Sequence, residues 1–117
     1  MFAEVKDTLP ISGDDYDGQI IREIKACALD LTTSAEISLP GDINITVSDQ
    51  GVITDASTLT DELIITAISI WCNMRIGNPP NYDQLLKAYN SLKGQMRISS
   101  HYTNYGGGGG DADADGD

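Results

Sequence analysis

The segment from residue 58 to residue 76 constrains the fold of this chain more than any other. Its apolar residues cover nearly the whole circumference of a helix, whereas a helix on a protein surface carries a single apolar stripe. A capping box formed by Thr58 and Asp61 is predicted to begin this helix, and Gly77 with the Pro-Pro pair that follows is predicted to end it. Such a helix must be central, or must face both its own core and a partner.

Three further segments have apolar residues at helical spacing, namely 2–9, 15–31 and 81–98. Pro10 is expected to end the first helix, because proline cannot continue one. Asp14 or Asp15 is a suitable N-cap for the second, and Asn81 is one for the last. The sequence therefore predicts an all-α fold, a small subunit of four helices.

The middle of the chain, residues 32–57, has a different character. Apolar and polar residues alternate within 36–39 and 43–47, which is the periodicity of a strand. Pro40-Gly41 and Asp49-Gln50-Gly51 are turn sequences. We predict a short β-hairpin or extended loop within 36–54, inserted between helices 2 and 3, and such insertions often contact neighbouring molecules.

The predicted domain organisation follows from a change in composition near the C-terminus. Residues 1–105 are predicted to form one helical domain that includes the 32–57 insertion. Residues 106–117 consist of glycine, aspartate and alanine, and a segment without large apolar side chains cannot offset the entropy lost on folding. This tail is therefore predicted to be disordered.

The charge balance of the chain restricts its possible partners. Eighteen acidic residues face seven basic ones, and the formal net charge is −11. Because affinity for nucleic acid comes mainly from cationic side chains, we predict that DNA can pass beside this chain without binding to it. The N-terminus lacks the features of a signal peptide, and the apolar run 63–72 is far shorter than the ~20 residues of a membrane span. No membrane partner is expected.

No set of residues in the sequence is suited to catalysis. His101 is the only histidine, and no serine or cysteine is an evident partner for it. Cys27 and Cys72 lie on predicted apolar helix faces, which is typical of buried thiols in a reducing cytoplasm. Neither cysteine has the spacing of a metal site. We therefore predict no catalytic residues and no enzymatic activity.

Two acidic segments partly match a calcium-binding loop. The first is residues 14–18. Here Gly13 and Ile24 occupy the positions where the first and last calcium ligands are needed. In the second, residues 111–117, the chain ends before the remaining ligands. We predict that the first segment caps a helix, that the second is a solvated tail, and that the chain holds no metal and no cofactor.

The order of these elements resembles the phage head–tail connector (adaptor) family, small head-completion proteins that bind below the portal. The resemblance covers about residues 3–102. It rests on a VKDTL helix, an acidic DDYD turn opening QIIREIKAC, a variable middle, a DELIITAI helix, a Gly-Asn-Pro turn, and LLKAYNSLKGQM followed by SSHY. The closing tyrosine after small polar residues is the most specific part.

This resemblance implies a structural virion protein, assembled in the host cytoplasm. Its subunits would form a ring, commonly a dodecamer, between the portal protein and a tail-side stopper or tail-completion protein. DNA would pass through the centre of the ring without specific binding. An alternative from another class is an acidic DNA mimic that inhibits a host nucleic-acid enzyme, which would need carboxylates arrayed on one face.

Two sets of residues are candidates for the contacts of such a ring. The predicted subunit interface uses apolar residues of the insertion and of the third helix: Ile37, Leu39, Ile43, Ile45, Val47, Ile65 and Ile70. The predicted portal contact follows the last helix and consists of Ser99, Ser100, His101, Tyr102 and Tyr105. Tyrosine offers a large contact area at a small cost in conformational entropy.

Overall fold

The computed structural model of the chain describes residues 1–76, 79–99 and 102. These residues form four helices and a two-stranded antiparallel hairpin, in the order α1 (Phe2–Asp7), α2 (Asp17–Thr33), β1 (Ile45–Val47), β2 (Ile53–Asp55), α3 (Glu62–Ile76) and α4 (Tyr82–Arg97). A mostly helical subunit with a small β insertion between α2 and α3 is thus confirmed, although the hairpin means that the fold is not purely α. Gly77 and the predicted tail, 106–117, lie outside the described residues.

Helix α3 lies at the centre of the subunit. It packs against α1, α2 and α4. Its fully buried residues lie on one side of the helix: Ile64, Ala67, Ile68 and Cys72. Helix α2 contributes the matching stripe of the core, which consists of Ile20, Ile24, Cys27 and Leu31. Three helical neighbours therefore cover most of the apolar surface of α3.

The first residues of α3 differ from the prediction. The capping box placed the start at Thr58, but the helix begins at Glu62. Asp61 Oδ1 accepts a hydrogen bond from the backbone N–H of Ile64 at 3.1 Å, so Asp61 is the residue that caps α3. Thr58 Oγ1 accepts instead from the N–H of Asp42 at 2.8 Å. Thr58 thus holds the base of the insertion, and the helix starts only after it.

The N-terminus of α2 is also shifted. It begins at Asp17 after Tyr16, and no side chain caps it, so the prediction that Asp14 or Asp15 is the N-cap is wrong. The N–H of Asp17 donates to the carbonyl of Asp14 within the preceding turn, which delays the helix. Lys6 of α1 binds the side chain of Asp17 at 2.8 Å. The acidic turn therefore joins α1 to α2.

Smaller shifts affect the ends of α1 and α4. Helix α1 ends at Asp7 rather than Leu9, because Pro10 disfavours the helical conformation in the residue before it. Helix α4 is one residue shorter at each end than the predicted range 81–98. None of the helices in the described ranges is both long and apolar enough to cross a membrane.

The hairpin pairs a different set of residues from the predicted one. Ile45 lies opposite Asp55 and Val47 opposite Ile53, and the chain reverses at the predicted turn, where Gly51 adopts φ +81°. Residues 36–39 are not a strand. They follow the end of α2 instead, where the N–H of Ile37 donates to the carbonyl of Leu31.

Asp55 of β2 caps α1 from a distance in sequence. Its Oδ2 accepts from the backbone N–H of Phe2 at 2.7 Å and lies 3.0 Å from the terminal ammonium of Met1. Burial works to raise the pKa of Asp55, but the hydrogen bonds from Phe2, Ser57 and the ammonium group outweigh it and hold that pKa well below its usual range. The charged form is thus favoured in the folded protein.

We expect Asp55→Asn to lower the free energy of unfolding at pH 7 by about 1–2 kcal/mol, because a neutral amide replaces the charged acceptor of the Phe2 N–H and loses the ion pair with the Met1 ammonium. Because the pKa of Asp55 is depressed by folding, its contribution is complete above the unfolded pKa of about 4 and is lost as the pH falls through the folded pKa. Urea denaturation of untagged protein at pH 7 and pH 3 tests this. A difference between variant and wild type that stays constant over this range would contradict it.

Candidate functional site

One buried polar cluster joins α2 to α4. Tyr89 Oη donates to Asp30 Oδ2 at 2.6 Å, and Lys93 Nζ donates to the same oxygen at 3.1 Å. The Tyr89 hydroxyl also lies 3.6 Å from Cys27 Sγ. Burial is the main cause that raises the pKa of Tyr89, so the phenol stays protonated and continues to donate. The cluster is suited to holding two helices together.

A second polar cluster joins α2 to α3. Trp71 Nε1 donates to Glu23 Oε1 at 3.0 Å, and Arg75 Nε lies 3.3 Å from the same oxygen. The Arg75 guanidinium also lies over the Trp71 ring, 5.6 Å from its centre. Glu23 of α2 is therefore tied to two residues of α3 by a hydrogen bond and an ion pair.

The two cysteines are not suited to nucleophilic chemistry. Cys27 and Cys72 are both fully buried and form no disulfide. Burial raises the pKa of each thiol to about 12, so both remain protonated near neutral pH, whereas the thiolate is the reactive form. Within the described ranges no three His, Cys, Asp or Glu side chains are grouped to hold a metal ion. His101 lies outside those ranges.

One surface suitable for binding is an open groove between α1 and α3, which we call the α1–α3 groove. It has a volume of about 350 Å³ and is lined by Glu4 and Thr8 of α1 and by Glu62, Ile65, Thr66, Ser69, Ile70 and Asn73 of α3. Ile65 and Ile70 contribute apolar surface to it. The volume is within the lower range of binding pockets.

Polar groups mark both ends of the α1–α3 groove. Glu62 stands at the first turn of α3, and Asn73 lies eleven residues further along the same helix. The Oδ1 atom of Asn73 is buried and accepts no hydrogen bond from the described residues. An unmatched buried acceptor costs about 1–3 kcal/mol, so a donor from outside the subunit would stabilise this end of the groove.

The structure divides the seven predicted interface residues into two groups. Ile37, Ile45 and Ile65 are at most 7% exposed and belong to the core of the subunit. A side chain that its own subunit covers cannot be a main contact for another subunit, so Ile37 and Ile45 are removed as candidates. Ile65 remains a candidate only through the small part of its side chain that lines the groove. The other four are accessible: Val47 is 49% exposed, and Leu39, Ile43 and Ile70 are partly buried.

The predicted portal contacts are corrected at Tyr102. This residue is 7% exposed, and its hydroxyl donates to the carboxylate of Asp61 at 2.9 Å. Its carbonyl accepts from the N–H of Ser38. Tyr102 is therefore an anchor to its own subunit, because its ring and hydroxyl are already used there. Ser99 is partly exposed, and the other predicted contacts lie outside the described residues: Ser100, His101 and Tyr105.

Sequence reasoning missed the polar side of α3. Glu62, Thr66, Ser69 and Asn73 follow one another at intervals of three or four residues, so they form a single stripe on an otherwise apolar helix. The apolar pattern of this helix by itself does not reveal the stripe. The signal that indicates the groove is the helical spacing of the few polar residues in this segment.

Comparisons with protein-family models, with curated proteins and with solved structures found no match to this chain. The resemblance to the connector family therefore stays a prediction, and a functional assignment depends on the surfaces described above.

Proposed function

We propose that this chain is a structural, non-enzymatic virion protein, a head–tail adaptor whose subunits form a ring beneath the portal. The observation that carries the proposal is the α1–α3 groove, because it leaves part of the central helix uncovered by its own subunit. Contact with a neighbouring subunit would complete the burial of Ile70 and the rim of the groove.

The hairpin provides a second surface for a neighbour. Val47 is 49% exposed and Val52 is 59% exposed, and the two valines flank the turn at the end of the hairpin. Single exposed apolar residues are common, but two that flank the turn of one hairpin favour a contact role. The proposed subunit interface therefore uses Val47 with Val52, in place of the buried Ile37 and Ile45.

Two carboxylates that bind inside the subunit favour the adaptor over a DNA mimic. Glu23 binds Trp71 and Arg75, and Asp30 binds Tyr89 and Lys93. These acidic groups hold helices together inside the subunit and are not available as phosphate analogues. The acidic balance that remains suits a channel that DNA crosses without binding.

The proposed portal contact lies at the exit from α4. Ile98 is 88% exposed there, directly before Ser99. Tyr102, bound to Asp61, is held against its own subunit. The portal contact is therefore proposed for Ile98, Ser99, Ser100, His101 and Tyr105, without Tyr102.

Native mass spectrometry of the full chain, alone and with the portal protein of the same phage, tests the proposed function. We expect a single closed oligomer, or a portal complex that carries a fixed number of these subunits. Replacing Val47 and Val52 with aspartate should weaken association while the melting temperature stays nearly unchanged, because both side chains are exposed.

A matched control replaces Tyr82 and Leu86, two exposed apolar residues of α4, with aspartate. This control adds the same charge without touching the hairpin. A chain that stays monomeric and fails to bind the portal would contradict the proposed function. Equal weakening by the two double variants would remove the hairpin from the interface.

A further inference from the structure

We infer that the α1–α3 groove binds the exposed face of α2 from a second copy of this chain. The inference rests on the proposed function and deepens it, since it names the partner of the groove. The exposed face of α2 is formed by Arg22, Lys25 and Leu29, and we call it the α2 face.

The α1–α3 groove is negatively charged. Glu62 forms no ion pair with the described residues. Glu4 shares the ammonium group of Met1 with Asp55, so two carboxylates compete for one cation. The Glu4 side chain is 56% exposed and can accept a further cationic partner. The groove therefore favours an apolar side chain accompanied by positive charge.

The α2 face has the complementary composition. Arg22, Lys25 and Leu29 are spaced by three and four residues, which places them on one side of the helix. All three are exposed, and neither cation forms an ion pair within the part of the chain that the structure describes. Leu29 is 63% exposed between them and the end of the helix. The opposite side of α2 is buried in the core, so the α2 face points away from its own α3.

The two surfaces also agree in length. At a rise of about 1.5 Å per residue, Arg22 to Leu29 spans about 10 Å, and Glu62 to Ile70 spans about 12 Å. With the two helices running in the same direction, Arg22 would lie beside Glu62 while Leu29 meets Ile70, and Glu4 on the α1 wall of the groove adds a second carboxylate for the cations of the α2 face. Opposite charges would thus pair at one end of the contact and apolar side chains at the other.

The contact is of the head-to-tail kind. Groove and face are formed by different residues of the subunit, so each copy offers one surface to the neighbour before it and the other to the neighbour after it. Repetition of such a contact gives a ring when the rotation closes and a filament when it does not. This contact can therefore generate the closed oligomer that the proposed function requires.

A charge exchange between the two surfaces tests the inference. One variant carries Arg22→Glu and Lys25→Glu, and the other carries Glu4→Lys and Glu62→Lys. Each alone places like charges across the contact, so we expect at least a tenfold rise in the concentration of half-association by analytical ultracentrifugation. An equimolar mixture of the two variants should restore association, because each face then meets a groove of opposite charge.

Controls separate the contact from folding and from net charge. Lys87→Glu with Arg97→Glu changes the net charge as much as the first variant but lies on α4, and it should leave association unchanged. Since Glu4 binds the amino terminus, a second pair, Arg22→Glu and Glu62→Lys, keeps that ion pair intact. Circular dichroism and melting temperatures must show that each variant is folded.

The outcomes distinguish this inference from the proposed function. Association that survives both charge variants, a mixture that fails to recover, or a wild-type chain that stays monomeric overturns the α2-to-groove contact. If the wild type binds the portal while the exchange has no effect, the adaptor function stands without this contact. If the exchange behaves as expected but the portal is never bound, the contact stands and the function fails.

Discussion

Replacing Gly41 with alanine should lower the free energy of unfolding by about 2–5 kcal/mol, through backbone strain and steric overlap together. Gly41 adopts φ +150°, a conformation that L residues rarely take. An added Cβ would lie 2.7 Å from the Cα of Leu59 and 2.9 Å from its nitrogen. The Leu59 backbone cannot easily move away, because its N–H donates to the carbonyl of Asp42.

Gly51→Ala is the matched control for this prediction. Gly51 also has a positive φ, +81°, but an added Cβ would meet nothing within 4 Å. Its replacement therefore measures strain alone, about 1–3 kcal/mol. Urea denaturation of both variants gives the two values. Equal losses would show that the close approach of Gly41 to Leu59 contributes nothing to stability.

The second large effect is expected for Ile68→Ala in the middle of α3. Ile68 is fully buried, and large-to-small substitution at such a site costs about 2–5 kcal/mol through lost burial and the cavity left behind. Thermal and urea denaturation measure the loss. Its control is Ile70→Ala, the same substitution on the same helix at a partly buried position in the α1–α3 groove.

The two isoleucines should separate stability from association. Ile70→Ala removes less buried surface, so its effect on unfolding should be clearly smaller than that of Ile68→Ala. Because Ile70 is the proposed contact of Leu29 from a second copy, its loss should raise the concentration of half-association instead. A stability loss at Ile70 as large as that at Ile68, with unchanged association, would place Ile70 in the core and not in an interface.

The shape of the groove depends on α1, which is only six residues long. A helix this short is not stable by itself, so contacts outside the helix must hold it in place. Asp55 of the hairpin caps its first turn, and Lys6 binds Asp17 of α2. The hairpin and the groove are therefore linked through α1, and Asp55→Asn should weaken association as well as folding.

The sequence by itself determined the helical elements and their order. Apolar stripes of period 3.6, interrupted by proline, depend only on neighbouring residues, so α2, α3 and α4 are found within four residues of their predicted ends. The turn at Asp49-Gln50-Gly51 is also where it was predicted, because glycine permits the positive φ that the turn needs.

Only the tertiary structure decided which apolar and polar side chains remain available to a partner. Ile45 and Val47 have the same chemistry and lie on the same face of one strand, yet one is buried and the other is half exposed. Tyr102 binds Asp61 across 41 residues, and Asp55 caps α1 across 53. Local periodicity predicts which side of a helix or strand is apolar, but segments far away in sequence determine whether that side is buried. The helices could therefore be predicted from the chain, whereas the surfaces left for assembly could not.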